Sequence, residues 1–223
     1  MLSTVDYLLL DYVSEYKIPL NIFVQPNVGE ILNKPDHNLS TIELALRLCH
    51  LVNEELIIIA NSGTCLASLN EISDTLKNEP KSNQYDFDKR FEVKLTEKGG
   101  NEWEHVFLPD WRKYWSTEVT FGETEHSEEE WLLEQANLAS LNDIIEFRKK
   151  HLIVKDDKFS IKRITPWDAT YWKRLPEVYQ AYFIVIEDLI DEMPNDYKNE
   201  LHNRLSSWRR NWKLSYDGTL ELE

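Results

Sequence analysis

Ser40-Thr41-Ile42-Glu43-Leu44-Ala45-Leu46-Arg47-Leu48-Cys49-His50-Leu51-Val52-Asn53-Glu54-Glu55-Leu56-Ile57-Ile58-Ile59-Ala60 holds one helix and one strand back to back. Ser40 and Glu43 form a capping box, in which hydroxyl and carboxylate satisfy two orphan N–H groups reciprocally. Leu44, Leu48, Leu51 and Val52 then recur at helical spacing to about Glu54. Leu56 to Ala60 is rich in β-branched residues and bounded by Asn61-Ser62-Gly63, hence a strand. Working upstream, Ser3 to Tyr16 carries Val5, Leu8, Leu9, Tyr12 and Tyr16 on a helical stripe with Ser3 or Thr4 as N-cap. Pro19 ends that helix, and a short one is expected over Asn27 to Leu32. Downstream, Leu69 to Leu76 reads as a short helix. Tyr85, Phe87, Phe91, Val93 and Leu95 alternate with polar residues, the period of a half-buried strand. Thr96 caps a last helix from Glu97 to about Val106.

Helix, short helix, helix, strand, strand, helix is an order that resembles a winged-helix domain. Leu48 to Ile57 is similar to the end of a recognition helix turning into a first wing strand, and Val93-Lys94-Leu95-Thr96-Glu97-Lys98-Gly99 to the exit of the second wing strand into a capped helix. The resemblance covers about half the chain. It implies a module spanning residues 1–116 and raises DNA binding as one function. The segment from Asn61 to Gln84 departs from it, being too long for a plain wing and holding a helix of its own.

The residues argue against a nucleic-acid partner. Between Thr41 and Glu55 one Arg47 stands among Glu43, Glu54 and Glu55, whereas base reading needs Arg, Asn or Gln at base edges and cations on phosphates. The whole chain of 223 residues carries a formal net charge of -15, so a polyanion meets repulsion where a DNA binder gains counterion release.

The second half, residues 117–223, reads as an acidic α+β part. Helices are expected from Ser127 to about Ala139, where Ser127 and Glu130 suggest a second capping box, and from Leu141 to His151. Leu152 to Lys155 and Lys158 to Ile164 read as a β-hairpin turning at Asp156-Asp157. Tyr179 to Ile190 is apolar enough for a buried strand or a buried helix, and period alone leaves both open. Asn195 to Trp212 is an amphipathic helix with Tyr197, Leu201, Leu205, Trp208 and Trp212 on one stripe. The fold class is therefore α+β and helix-rich: a winged-helix-like module followed by a mixed helical and β-hairpin part.

Several functions lack their signatures. The chain has no G-x-S-x-G, no Gly-rich phosphate loop and no H-E-x-x-H, so no catalytic residues and no cofactor are assigned. His50 with Glu54, and His126 with Glu130, sit four apart on expected helices, but neither pair has a third ligand, so no metal is expected. Cys49 and Cys65 cannot make a disulfide framework and read as buried, reduced side chains. A basic start and a cleavage site are missing from the first residues, and no apolar run approaches the ~20 residues of a membrane span. A cytoplasmic protein without membrane contact is the expectation.

Charge distribution is the sharper guide. From Tyr114 to Phe147 there are nine acids and no Lys or Arg, and the next stretch, Arg148 to Arg174, is basic. Carboxylates of Glu118, Glu125, Glu128, Glu129, Glu130 and Glu134 are the candidates to steer a basic protein partner, with Trp111, Trp115 and Trp131 as aromatic anchors. A plain solvated acidic face, and Trp residues joining the two halves, stand beside that reading. The expected function is non-catalytic protein binding, in its most concrete form an acidic neutraliser of the bacterial immunity or antitoxin type holding a basic nuclease-like toxin. A winged-helix regulator that binds DNA or a ligand is the alternative, and an enzyme whose site has no sequence motif comes third.

Overall fold

The computed structural model describes residues 2–78, 90–121, 128–155 and 158–209. The chain forms two compact units, one built on Met1–Phe107 with Thr170–Lys173, the other on Leu108–Ala169 and Arg174–Asn211. The class is α+β, with antiparallel sheets in both units.

In the first unit α1 (Thr4–Tyr12) starts at a Ser3–Asp6 capping box and buries every residue from Asp6 onward. β1 (Ile18–Pro19), a 3-10 turn (Leu20–Val24) and α2 (Val28–Leu32) lead to Asn33, whose φ of 52° ends α2 in the left-handed region that Asn tolerates. α3 (Thr41–Asn53) opens on the expected Ser40–Glu43 capping box and turns its Leu44, Ala45, Leu48 and Leu51 into the core. β2 (Ile57–Ala60), β3 (Cys65–Leu66), α4 (Leu69–Asn78), β4 (Glu92–Leu95) and α5 (Glu97–Phe107) complete the unit. The sheet order is β1-β4-β2-β3, all antiparallel, with Ile57 opposite Leu95 and Ile59 opposite Val93. Thr96 caps α5 as expected, its Oγ1 accepting from Gly99 N at 3.0 Å and donating to Glu55 O at 2.6 Å. The expected strand residues Tyr85 and Phe87 lie outside the described residues.

The second unit is built on an antiparallel sheet. Its elements are β5 (Trp115–Thr120), β6 (Glu129–Gln135), α6 (Leu138–Arg148), β7 (Leu152–Val154), β8 (Ser160–Ile164), β9 (Trp167–Asp168), β10 (Arg174–Leu175), β11 (Val178–Asp188) and α7 (Asn195–Ser206). β11 is central. β6 and then β5 lie on one side of it, and β7 and β8 both lie along the other. The core joins Trp131, Leu133, Ala181, Phe183 and Val185 of the sheet to Leu141, Ile144 and Ile145 of α6.

Four expectations are corrected here: Cys65, expected to be buried, is exposed, and three elements differ. The helix over Ser127 to Ala139 is instead strand β6, because Trp131, Leu133 and Gln135 bury at every second position beside β11. Ser127 itself lies outside the described residues. The hairpin at Asp156-Asp157 is absent among the described residues: β7 and β8 do not pair with each other but run in the same sense along β11, Val154 opposite Val185 and Ser160 opposite Tyr182. Tyr179 to Ile190 resolves as strand, β11. The last helix is shorter than expected, ending at Ser206, and Trp212 lies outside the described residues.

Candidate partner-binding face

Register determines what the second unit presents. Directly opposed residues of an antiparallel sheet share a face, so three rows can be followed across the strands. They are Ser116–Glu134–Gln180–Lys162, Glu118–Leu132–Tyr182–Ser160 and Thr120–Glu130–Ile184. The alternate residues, Trp131, Leu133, Ala181 and Phe183 among them, face α6 and the core.

The first row is closed. Glu134 Oε2 accepts from Ser116 Oγ and from Trp167 Nε1, both at 2.9 Å, and its Oε1 accepts from Gln180 Nε2 at 2.6 Å. A half-buried carboxylate with three donors is satisfied inside its own unit and holds the β9–β10 ribbon down on the sheet. The other two rows are open. Glu118, Thr120 and Glu130 are exposed, and Leu132, Tyr182 and Ile184 are half-buried between them. Partial burial, the negative charge of Glu130 and a hydrogen bond to it raise the Tyr182 phenol above its ordinary range.

The remaining sequence candidates are engaged elsewhere. Trp131 is 7% exposed and stacks on Phe183 at 6.0 Å, so it supplies core and not contact area. Its Nε1 donates to Glu129 Oε2 at 2.8 Å, which occupies that carboxylate too. Trp115 is half-buried and donates its indole N–H to Leu205 O. Trp111 packs on Tyr114 at 5.1 Å and on Trp208 at 5.7 Å. Glu128 pairs with Lys155. Glu125 lies outside the described residues. Glu118 and Glu130 are therefore the two candidates the fold brings together on one open face. Leu132, Tyr182 and Ile184, which join them there, escaped the sequence reading because only strand register reveals them.

Behind the sheet sits a buried cation. Arg148, 7% exposed, holds its guanidinium 5.6 Å from the Trp115 ring centroid and 5.2 Å from that of Trp131. Desolvated cation–π contacts of this kind contribute about 2 kcal/mol. Its Nε has no partner among the described residues. Burial lowers its pKa, and Asp188 and Tyr197 oppose that shift. His151 lies beside it, its Nδ1 2.6 Å from Tyr197 Oη and its Nε2 3.8 Å from Asp188 Oδ1. His151 itself is 2% exposed.

Two cavities carry charged side chains on their walls. One, of about 550 Å³, lies beside α6 and α7, with Ser140, Asp143, Glu200 and Arg204 on its walls; Arg204 is already clamped by Asp143 at 2.5 Å and Glu200 at 2.8 Å. The other, of about 160 Å³, is lined by Phe23, Asp36 and His37 in the first unit. Among the described residues no group of three or more His, Cys, Asp or Glu is placed to hold a metal ion, and no helix is long and apolar enough to cross a membrane.

In the first unit, α3 is the helix whose end resembles a recognition helix, and its one arginine is ion-paired. Arg47 Nη1 donates to the fully buried Asp6 at 3.2 Å, and on the same helix Glu43 is exposed together with two apolar residues, Ile42 at 64% and Leu46 at 49%. Compared with models of known families, with curated proteins and with solved structures, the chain matches none. Fold and surface define an α+β protein with a mixed acidic and apolar open sheet face.

Proposed function

We propose that the protein is a non-catalytic binder of a basic protein partner and that the outer face of β5, β6 and β11 is where contact is made. The observation that carries this is the combination on that face: exposed Glu118 and Glu130 set around half-buried Leu132, Tyr182 and Ile184. Apolar area at the centre with charge at the margin is how protein interfaces are built, the apolar part holding the complex and the charge speeding encounter. The net charge of -15 adds long-range attraction for a cationic partner. Neutralising a basic toxin, as immunity and antitoxin proteins do, is the concrete form of this reading. A cytoplasmic location goes with it.

The test is affinity capture from the native host at low and at high salt, with wild type beside Glu118→Lys/Glu130→Lys. Wild type should retain a basic protein at about 50 mM salt, release most of it by about 0.5 M, and lose it in the double variant, because surface charge attraction is screened within ~4 Å at such salt. Capture indifferent to both salt and the two substitutions would reject the reading.

A second reading rests on the first unit. The sheet order β1-β4-β2 following a helix supports a winged-helix module, and with it DNA or ligand binding. Arg47 held by Asp6, with Ile42 and Leu46 exposed beside it, favours protein contact over DNA for such a module.

A further inference from the structure

Among the described residues, the five-stranded sheet has two unpaired edges of opposite construction. Along β7 and β8 the edge is broken into two short pieces, with a register shift opposite Val185 and Glu187, and it carries Lys155, Lys162 and Arg163. Short strands, irregular register and cations are the devices by which proteins keep an edge from pairing with another chain. β5 has none of them. It runs Trp115-Ser116-Thr117-Glu118-Val119-Thr120, pairs with β6 in unbroken register over all six residues, and contains no Lys, Pro or Gly. Among the described residues no backbone bond from Trp115–Thr120 leads anywhere but to β6. Thr117, Glu118 and Thr120 are exposed, and Phe121, just past the strand, is 70% exposed.

We propose that β5 is a docking edge, and that the partner adds an extended basic segment to it as a sixth strand. This rests on the protein-binding reading above and specifies its geometry. In an antiparallel ladder alternate residues turn both N–H and C=O to the same side, so about half of β5 offers paired donors and acceptors outward. Backbone bonds supply affinity in strand addition and side-chain pockets supply selectivity. A residue of the added strand opposite Glu118 lies about 5 Å from it on the outer face, and Glu130 stands in the next row of that face, opposite Thr120. That position selects Lys or Arg. Its two neighbours in the added strand turn to the inner face, one opposite half-buried Val119, which selects an apolar residue, and one opposite exposed Thr117. The fitting segment therefore alternates cationic and apolar residues. A second copy of this chain is disfavoured as occupant, because two bodies of formal charge -15 repel as they approach.

The probe is a blocked peptide of seven residues alternating valine and lysine, titrated into the full chain at low salt. Two further peptides carry backbone N-methyl groups on alternate residues, one in each frame. N-methylation in the frame that faces β5 removes the donors and is expected to weaken binding at least tenfold, while the other frame binds within about twofold of the parent. Glu118→Lys should weaken the parent peptide at least tenfold. Equal binding by both methylated peptides overturns strand addition and leaves the acidic-face reading standing. No binding by the parent peptide, or self-association of the protein in sedimentation at the same concentration, overturns the proposal outright. Failure of the host-capture experiment with peptide binding intact would instead count against the basic-partner function and not against the edge.

Discussion

His151 is a neutral imidazole enclosed by charge. Burial disfavours its protonated form and Arg148 adds to that, while Asp188 pulls the other way; the net shift is downward. Tyr197 Oη donates its one proton to Phe147 O at 2.8 Å, so the Nδ1 of His151 is the donor to Tyr197 and Nε2 is left as a lone pair facing Asp188. The sign of the linkage follows. An unfolded imidazole takes up its proton near pH ~6.5, whereas the folded one does so only at lower pH. Below about pH 6.5 the unfolded chain therefore holds the extra proton, and this residue's contribution to stability, complete above that pH, declines until the folded group also protonates. His151→Gln should be less stable than wild type at pH 8, and the gap should narrow as pH falls towards 5. Urea midpoints of both proteins across that range measure it. A gap constant with pH would mean that the imidazole keeps one protonation state throughout, or titrates alike in both states.

At the scale of elements, α5 shows how closely helix and strand are fitted. A methyl group on Gly99 would overlap the backbone carbonyl of Leu56, and one on Gly100 would overlap the Trp172 ring, whose Nε1 is anchored on Ser14 O at 2.8 Å. In an exposed helix Gly→Ala gains roughly 0.5–1 kcal/mol. Here overpacking should outweigh the gain by about 1–3 kcal/mol, and more at Gly99, where the obstacle is backbone. Thermal unfolding is expected to rank wild type above Gly100→Ala and that above Gly99→Ala; a Gly99→Ala protein as stable as wild type would refute the close approach. Much of this unit was legible beforehand, because capping boxes and Thr96 are local signals that local structure honours. β6 was not. Glu128-Glu129-Glu130-Trp131-Leu132-Leu133-Glu134 fits a helix start as well as a strand, and the choice is made by β11, far off in sequence, which needs a neighbour for Ala181, Phe183 and Val185. Two short runs at β7 and β8 looked like a hairpin for the same reason: their common partner was not visible to a local reading. The candidate face was half legible. Its carboxylates stood out as charge, but Leu132, Tyr182 and Ile184 become their neighbours only through strand register.

For the molecule as a whole, the two readings of its surface make opposite electrostatic predictions. A DNA binder concentrates free cations where the groove or backbone is met, and it exchanges counterions for phosphates as it binds. Among the described residues of the first unit, four of the cations are held by the protein itself. Lys34 meets Asp11 at 2.6 Å, Arg47 meets Asp6 at 3.2 Å, Arg90 meets Glu92 at 3.5 Å, and Lys98 donates to Glu54 O at 2.7 Å. Lys34 and Asp11 are both nearly fully buried and leave no net field outside. Arg47 is half-exposed, yet its partner Asp6 is fully buried, so freeing the arginine for a phosphate would leave a carboxylate uncompensated in the core. Added to a formal charge of -15, this predicts that the protein passes through a heparin column at about 20 mM salt and binds an anion exchanger under the same conditions. Asp6→Asn distinguishes local from global charge. It releases Arg47 from its ion pair, yet it changes net charge by only one, so the variant should still flow through heparin. Retention of wild type would reveal a local cationic surface that outweighs the total and would favour the nucleic-acid reading. Retention of the variant alone would place that surface on α3, with Asp6 as the group that masks it.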